Sequence, residues 1–272
     1  MRTSVAVEDK LTRLRFFLKD LGPTLVAFSG GVDSSFLLAV ASEVLRKNVT
    51  ALMTLSSSTP SEDAAQAASL ARELNVDFLT INHDELGIPQ YAANPVNRCY
   101  FCKNSLYEIC TREAARLSIS SIVDGVNLDD LKDYRPGLQA ASEYQVIHPL
   151  VETQFTKEDI RRASKLLGLS TWERPASPCL SSRIPYGTPI SATMLTQISQ
   201  GEKLFHSLGL KELRVRHHQT YARIELNLHD LINLTSISPI DRIEGDLKKI
   251  GFPSVVFDLE GYRSGVFNTA KK

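Results

Sequence analysis

The sequence predicts an α/β protein, with a doubly wound parallel sheet followed by a smaller C-terminal α+β domain. Two patterns lead to this prediction. Short continuous apolar runs, typical of strands buried on both faces, alternate with amphipathic helical segments up to Arg174. From there the chain is rich in Pro, Ser and Gly, and we place a boundary between a domain of residues 1–180 and one of residues 181–272.

The first domain opens with a helical pattern over residues 8–20, which Gly22 and Pro23 end. A buried strand is predicted over 24–29, and an amphipathic helix follows from Asp33. The same alternation predicts further strands at 49–55, 77–81 and 119–124, and further helices at 61–74, 99–117 and 156–167. Strands that alternate with helices favour a parallel sheet with helices on both faces.

The second domain has the pattern of an α+β module with antiparallel pairing. Its predicted elements are a helix at 191–208, strands at 212–218 and 221–226, a helix at 239–250 and a strand at 254–259. Two segments of different structural class therefore follow one another along the chain.

The composition narrows the class of protein. The 272 residues are 43% hydrophobic, and 31 Lys and Arg balance 31 Asp and Glu, so no global field draws the chain to nucleic acid or an anionic membrane. No apolar run approaches the ~18 residues of a membrane span, and charges interrupt the opening segment, unlike a secretory signal. We therefore expect a cytoplasmic protein with neither a membrane nor a nucleic-acid partner.

A glycine-rich loop lies between the first strand and the helix that follows it. Its sequence is Ser29-Gly30-Gly31-Val32-Asp33-Ser34-Ser35, and a helix N-terminus after such a turn favours an anion. The P-loop pattern with a Lys before Ser or Thr is absent, so the phosphate chemistry should differ from that of ordinary P-loop enzymes. Asp33 would repel phosphates unless a cation lay between, which implies Mg²⁺. The alternative is that Asp33 and Ser34 only cap the helix.

The cysteines form the second candidate site. Cys99 and Cys102 stand one helical turn apart in RCYFCK, and Cys179 lies in the later Pro- and Ser-rich loop. Three thiolates suit a [4Fe-4S] cluster with one open iron, whereas structural zinc would need a fourth ligand, such as a histidine. The same pattern is compatible with thiols that are redox-active or simply buried. Cys110 has apolar neighbours and is interpreted as a core residue.

Other polar residues are candidates for holding a nucleotide or a substrate. Gly125 follows a strand at the carboxyl edge of the sheet and leaves room for a nucleotide, and Asp129 on the same loop is a candidate to hold a metal or position a ligand. Groups suited to phosphate or carboxylate charge are Lys103, Arg135, Ser182, Arg183, Arg214 and Arg216. Each of these sets is also compatible with an ordinary solvated surface. Glu202 and Glu225 are compatible with a second metal site, although surface glutamates are more common.

The motif SGGVDS at 29–34 resembles the PP-loop of the ATP pyrophosphatases, which cleave ATP between the α and β phosphates. Motifs along nearly the whole chain narrow the resemblance to the LarE-type ATP-dependent sulfur transferases of nickel-pincer nucleotide synthesis. These motifs are DGVNLDD at 124–130, DYRPGL at 133–138, SPCLSSRIPYGTPI at 177–190, RVRHH and ARIEL within 214–226, and DLEGYRSG at 258–265. The resemblance implies an adenine nucleotide α-hydrolase-like fold for the first domain.

The resemblance also implies ATP, Mg²⁺ and a homo-oligomer in which the small domain binds substrate or joins subunits. The substrate would be pyridinium-3,5-dicarboxylic acid mononucleotide, whose carboxylates are adenylated and become thiocarboxylates. In single-cysteine members the cysteine matched by Cys179 gives up its own sulfur. Cys99 and Cys102 depart from that pattern and resemble three-cysteine members, so we expect a catalytic [4Fe-4S] cluster and an unknown sulfide donor. Sacrifice of Cys179, tRNA thiolation and a non-catalytic nucleotide- and cluster-binding sensor are the alternatives.

Overall fold

The structure is a computed structural model that describes residues 2–132, 134–175 and 178–263. Residues 133, 177, 264 and 265, which complete three of the motifs above, lie outside these ranges. The chain forms two compact units. The first contains the chain up to Glu85 and again from Asn97 to the residues before Pro178, and the second contains Leu86–Val96 and the chain from Pro178 onward. No pattern in the sequence assigns Leu86–Val96 to the second unit.

A four-stranded parallel sheet forms the centre of the first unit, which confirms the predicted fold class. Its strands are β1 (Thr24–Ala27), β2 (Val49–Leu55), β3 (Asp77–Asn82) and β4 (Ser121–Asp124), in the order β3-β2-β1-β4. Thr24 at the start of β1 is in register with Val49 of β2 on one side and Ser121 of β4 on the other. The carboxyl ends of the central strands therefore meet at one edge of the sheet.

Helices cover both faces of this sheet. They are α1 (Arg2–Leu21), α2 (Val32–Leu45), α3 (Ser61–Glu73), α5 (Arg98–Arg116), α6 (Gly137–Glu143), α7 (Pro149–Glu152) and α8 (Lys157–Leu166), while α4 (Pro89–Ala92) belongs to the second unit. Val26 packs with α1, α2 and α8 on one face, and its neighbour Leu25 packs with α5 and α6 on the other. Both alternate faces of β1 are buried because the unit is doubly wound.

The second unit is built on a three-stranded sheet. Its main elements are α9 (Ala192–Ser207), β5 (Leu213–His217), β6 (Ala222–Leu226), α10 (Leu228–Ile237), α11 (Ile240–Ile250) and β7 (Val255–Phe257). β5 and β6 pair antiparallel, as predicted, but β7 pairs parallel with β6, so the expectation of antiparallel pairing throughout is wrong for this strand. The reason is the crossover through α10 and α11, which returns the chain to the edge of the sheet in the same direction.

In the part of the chain that the structure describes, no helix combines the length and the apolar character that crossing a membrane requires.

Candidate functional site

The loop between β1 and α2 has the geometry of an anion-binding turn. Gly30 lies in the left-handed region at φ +71°, and a Cβ there would stand 3.0 Å from the Cβ of Ala67. Gly31 precedes α2 and provides no side-chain cap, so the amides of the first turn remain available to a ligand. The hydroxyls of Ser29 and Ser34 lie 3.0 Å apart, and Ser34 Oγ accepts from the Ser29 amide at 3.3 Å. Phosphate groups are stabilised at such a helix N-terminus.

Asp33 and Ser35, in the first turn of α2, each present a buried oxygen. Asp33 Oδ1 and Ser35 Oγ have no hydrogen-bond partner among the described residues. Asp33 Oδ2, by contrast, forms an ion pair with Lys157 at the start of α8. Asp33 therefore does not serve as the cap of its own helix. Its unpartnered carboxylate oxygen fits a ligand for Mg²⁺, because this cation prefers oxygen donors.

Two cations that were not among the predicted site residues contact this loop. Lys157 pairs with Asp33, and Arg174 donates to the carbonyl of Gly30 at 2.8 Å and pairs with Asp63. The contacts to Gly30 and Asp33 join residues more than a hundred positions apart. No local pattern in the sequence could therefore have identified them. Positive groups beside an anion-binding turn favour a polyphosphate ligand.

Asp129 and Arg135 are engaged in local ion pairs. Asp129 Oδ1 accepts from Lys132 Nζ and Oδ2 accepts from the amide of Lys157, both at 2.8 Å. These two hydrogen bonds lower the pKa of Asp129. Arg135 lies 2.7 Å from the carboxylate of Asp130. The assignment of both residues to a nucleotide site stays a prediction.

Gly125 brings the end of β4 against the phosphate loop. A Cβ at this position would stand 2.7 Å from the amide nitrogen of Ser34 and 3.1 Å from the carbonyl carbon of Asp33. Both neighbours are backbone atoms of α2, which cannot move aside as a flexible side chain can. The structure therefore gives Gly125 a packing role against the start of α2, and its assignment to the nucleotide site stays a prediction.

Asp124, beside Gly125, is the centre of a buried polar network. Its carboxylate accepts from the Tyr107 hydroxyl at 2.6 Å and lies 2.7 Å from His148 Nδ1. Burial alone would raise the pKa of Asp124, but the hydrogen bond with His148 and the charge of Lys103 outweigh it, and the pKa is lowered. Lys103 Nζ lies 5.2 Å from the Tyr107 ring centroid. Although burial opposes its charge, Tyr107 and Asp124 raise the pKa of Lys103, so this lysine is a cation at neutral pH.

Cys99 lies in the first turn of α5 and Cys102 at the start of the second. Cys99 is exposed and Cys102 half-buried. Cys102 Sγ lies 2.9 Å from Oε1 of the buried Glu85, whose other oxygen accepts from Ser56 at 3.0 Å and Ser58 at 2.6 Å. A helix N-terminus favours thiolates, and the i, i+3 spacing places both sulfurs on the same side of the helix. The pair therefore fits two ligands of one metal cluster.

The remaining two cysteines have contrasting surroundings. Cys110 is fully buried in the core beside α5 and α6, as predicted, and burial raises the pKa of its thiol to about 12. Cys179 is half-buried and begins a short 3₁₀ turn, Leu180–Arg183, in the second unit. None of the four cysteines forms a disulfide. Within the described residues no three His, Cys, Asp or Glu side chains are grouped as a metal site, so the three-thiolate site stays a prediction.

Arg183, a predicted substrate-binding residue, is buried, and its guanidinium is fully hydrogen-bonded. Its Nε and Nη2 donate to the two carboxylate oxygens of Glu202 at 2.9 and 3.0 Å. Its Nη1 donates to the carbonyl of Cys179 and to the hydroxyl of Ser182, both at 3.0 Å. In this arrangement Arg183 supports the Cys179 loop from inside the second unit.

The strand arginines have two different environments. Arg216 is 5% exposed and donates to Glu225 at 2.6 Å and to the carbonyl of Ser182 at 3.1 Å. Arg214 is half-buried, and its guanidinium carbon lies 4.9 Å from the ring centroid of Tyr262. Alternation along β5 places Arg214 and Arg216 on one face of the strand, but it does not show that part of this face is covered. Glu202 and Glu225 pair with arginines, and Glu225 Oε2 is buried without a partner among the described residues.

The parallel sheet, the glycine turn before α2 and the cations around it define a nucleotide-binding α/β protein of the PP-loop class. Comparison with known families agrees: the family described as NAD synthase matches residues 18–92.

Relatives cover nearly the full chain. A pyridinium-3,5-bisthiocarboxylic acid mononucleotide synthase of Lactiplantibacillus plantarum is 38% identical over 92% of this chain and 91% of its own length. An uncharacterized protein of Synechocystis is 40% identical, covering 96% of this chain and 98% of that protein, and one of Methanocaldococcus jannaschii is 31% identical, covering 94% and 98%. The chain belongs to the LarE-type sulfur transferase family, within the PP-loop superfamily.

Proposed function

We propose that this protein uses ATP to convert the carboxylates of pyridinium-3,5-dicarboxylic acid mononucleotide into thiocarboxylates for the nickel-pincer cofactor. The observation that carries the proposal is the similarity, over more than nine-tenths of both chains, to the Lactiplantibacillus synthase. The phosphate loop supports it, because replacing a carboxylate oxygen first requires a better leaving group, which adenylation supplies.

In the first step a carboxylate oxygen of the substrate attacks the α phosphorus of ATP, and the bond to the β phosphate breaks. Pyrophosphate leaves into the loop formed by Ser29, Gly30, Gly31, Ser34 and Ser35. Asp33 would hold the Mg²⁺ that accompanies ATP, through the oxygen that has no partner in the described structure. Lys157 and Arg174 would stabilise the negative charge that grows on the departing pyrophosphate.

In the second step sulfur forms a bond to the activated carbon, and the bond from that carbon to the AMP oxygen breaks. Cys99, Cys102 and Cys179 would hold a [4Fe-4S] cluster, which would supply the sulfide when bound. Lys103, Ser182 and Arg214 are proposed to contact the substrate, whereas Arg183 and Arg216, whose side chains are buried and paired with Glu202 and Glu225, are proposed to hold Ser182 in the substrate site. Of these, Arg214 is the strand arginine whose side chain is half-buried instead of enclosed, so it is the best placed to meet a phosphate.

Turnover by anaerobically purified protein tests this function. With ATP, Mg²⁺, inorganic sulfide and the pyridinium dicarboxylate mononucleotide, we expect AMP, pyrophosphate and thiocarboxylate to appear in equal amounts. Asp33→Asn should lower all three together because it removes the charge that holds Mg²⁺. Absence of nucleotide cleavage by the wild-type protein with this substrate would contradict the proposal, and a salt-dependent mobility shift with tRNA would then favour tRNA thiolation.

Iron and sulfide analysis tests the cluster. We expect about four irons per chain in the wild type and their loss in Cys99→Ser, Cys102→Ser and Cys179→Ser. Cys110→Ala is the matched control, since its thiol lies in the core, and it should keep both iron and turnover. A colourless wild type that completes a single round of turnover, with Cys179 converted to dehydroalanine in the mass spectrum, would contradict the cluster. It would show instead that Cys179 donates its own sulfur. Light scattering on the same samples measures the expected homo-oligomer.

A further inference from the structure

The segment Leu86–Val96 packs against the loop that follows Cys179, and both belong to the second unit. The Tyr91 hydroxyl lies 2.6 Å from the Ser181 hydroxyl, and Tyr91 is only 1% exposed. Ser181 is two residues from Cys179 and is itself fully buried. This hydrogen bond therefore fixes the turn that begins at Cys179.

Asn94 supports the later part of the same loop. Its side-chain Nδ2 donates to the backbone carbonyls of Pro185 at 2.8 Å and Thr188 at 2.9 Å. The backbone carbonyl of Asn94 accepts from the amide of Gly187 at 2.9 Å. Asn94 is fully buried and lies in the left-handed region at φ +55°, which asparagine tolerates better than most residues. The amide of Ile190 donates to the carbonyl of Ala92 at 2.8 Å, so the backbones of the two segments are also joined.

The segment Leu86–Val96 is also close in sequence to the other cysteines. Glu85, the residue before it, contacts Cys102, and Cys99 follows three residues after Val96. The support of the Cys179 loop is therefore built from the stretch of chain that leads directly into Cys99 and Cys102. Polar side chains that are buried and fully satisfied specify one conformation, because every alternative leaves a group unpaired.

We propose that Tyr91 and Asn94 are positioning residues for sulfur transfer, which hold the Cys179 loop in the conformation that this step requires. The inference rests on the proposed function, in which Cys179 takes part in the second step. Adenylation uses the phosphate loop of the first unit. Loss of the support should therefore slow sulfur transfer and leave adenylation intact once substrate is saturating, because Ser182 on the same loop contributes only to substrate binding.

The test uses Tyr91→Phe, which keeps the ring, and Asn94→Gly, which keeps the left-handed backbone and removes the donor. Asn75→Gly, at an exposed residue with φ +53°, and Tyr144→Phe are the matched controls. We expect thiocarboxylate formation to fall about tenfold or more, since ~1 Å of misplacement can cost ~100-fold. Substrate-dependent exchange of pyrophosphate into ATP, measured at saturating substrate, should stay at the wild-type rate. Iodoacetamide should also alkylate Cys179 several-fold faster, as measured by peptide mass spectrometry, and both controls should behave as the wild type.

Equal loss of exchange and sulfur transfer, or wild-type values for sulfur transfer and for Cys179 alkylation, would overturn the inference. If Asn94→Gly does not fold, Tyr91→Phe decides alone. If the wild type shows neither exchange nor thiocarboxylate, the proposed function fails, and the alkylation rates still test whether Tyr91 and Asn94 hold the loop.

Discussion

Arg183 and Glu202 form a bidentate ion pair inside the second unit, with donor–acceptor distances of 2.9 and 3.0 Å. Arg183 is 2% exposed and Glu202 is 8% exposed, so both charges depend on each other for stabilisation. Removing one partner of such a pair leaves a buried charge uncompensated. We therefore expect Arg183→Met to lower the free energy of unfolding by about 3–5 kcal/mol, measured by urea titration.

A second variant distinguishes the effect of the uncompensated charge on stability from the effect of lost packing. Glu202 Oε1 also accepts from the amide of Val215 at 3.2 Å, and Gln at this position keeps that acceptor while it removes the charge. The double variant Arg183→Met with Glu202→Gln should recover a large part of the stability lost by Arg183→Met alone. Equal stability of the single and double variants would show that the buried charge is not the cause.

Gly125→Ala should disturb the phosphate loop. The added methyl group would stand 2.7 Å from the amide nitrogen of Ser34, a backbone atom. Overpacking of this kind costs about 1–3 kcal/mol, so we expect ATP to bind about tenfold more weakly in isothermal titration calorimetry. Gly245→Ala is the control, because nothing lies within 4 Å of a Cβ there and the position is inside α11. It should stabilise the protein by ~0.5–1 kcal/mol and leave ATP binding unchanged.

Lys157→Met should weaken ATP binding more than it weakens folding. Lys157 is partly exposed and pairs with Asp33, and pairs of this kind contribute less than about 1 kcal/mol to stability. The charge of Lys157 contributes more to ATP binding, because it lies beside the polyphosphate, and we expect the KM for ATP of the variant to rise about tenfold. Lys47→Met removes an equal charge from the exposed turn after α2 and should leave the KM unchanged. A wild-type KM in Lys157→Met would contradict a role at the phosphates.

The fold of the first unit could be predicted because its strands and helices carry strong local patterns. The apolar run that contains β1 and the glycines after it place the phosphate loop without any long-range information. The short helix α6 was missed because it begins at Gly137, within a stretch rich in Asp, Pro and Gly that reads as a loop. Local signals thus located the main elements but not those formed by packing.

The contacts around the site could not be predicted in the same way. Arg174 with Asp63, and Tyr91 with Ser181, join residues 111 and 90 positions apart, and a single sequence holds no signal for such pairs. The sequence also does not show which charged side chains are buried. Alternation places Arg216 on a polar face of β5, yet it cannot distinguish a solvated face from one on which a glutamate neutralises the arginine.

Asp124 should make the stability of the first unit depend on pH. Its pKa is lowered in the folded protein, because the hydrogen bond with His148 and the charge of Lys103 outweigh the effect of burial. A lowered pKa means that the ionised carboxylate stabilises the fold above the unfolded value near 3.8, and that this stabilisation is lost as pH falls through the folded pKa. Asp124→Asn should therefore be clearly less stable than the wild type in urea at pH 7, and the difference should shrink as the pH falls below 3.8.

The control is Asp20→Asn, an exposed residue near the end of α1, which should show a small difference at every pH. A gap between Asp124→Asn and the wild type that stays constant from pH 7 to acid would mean that the carboxylate charge does not stabilise this network.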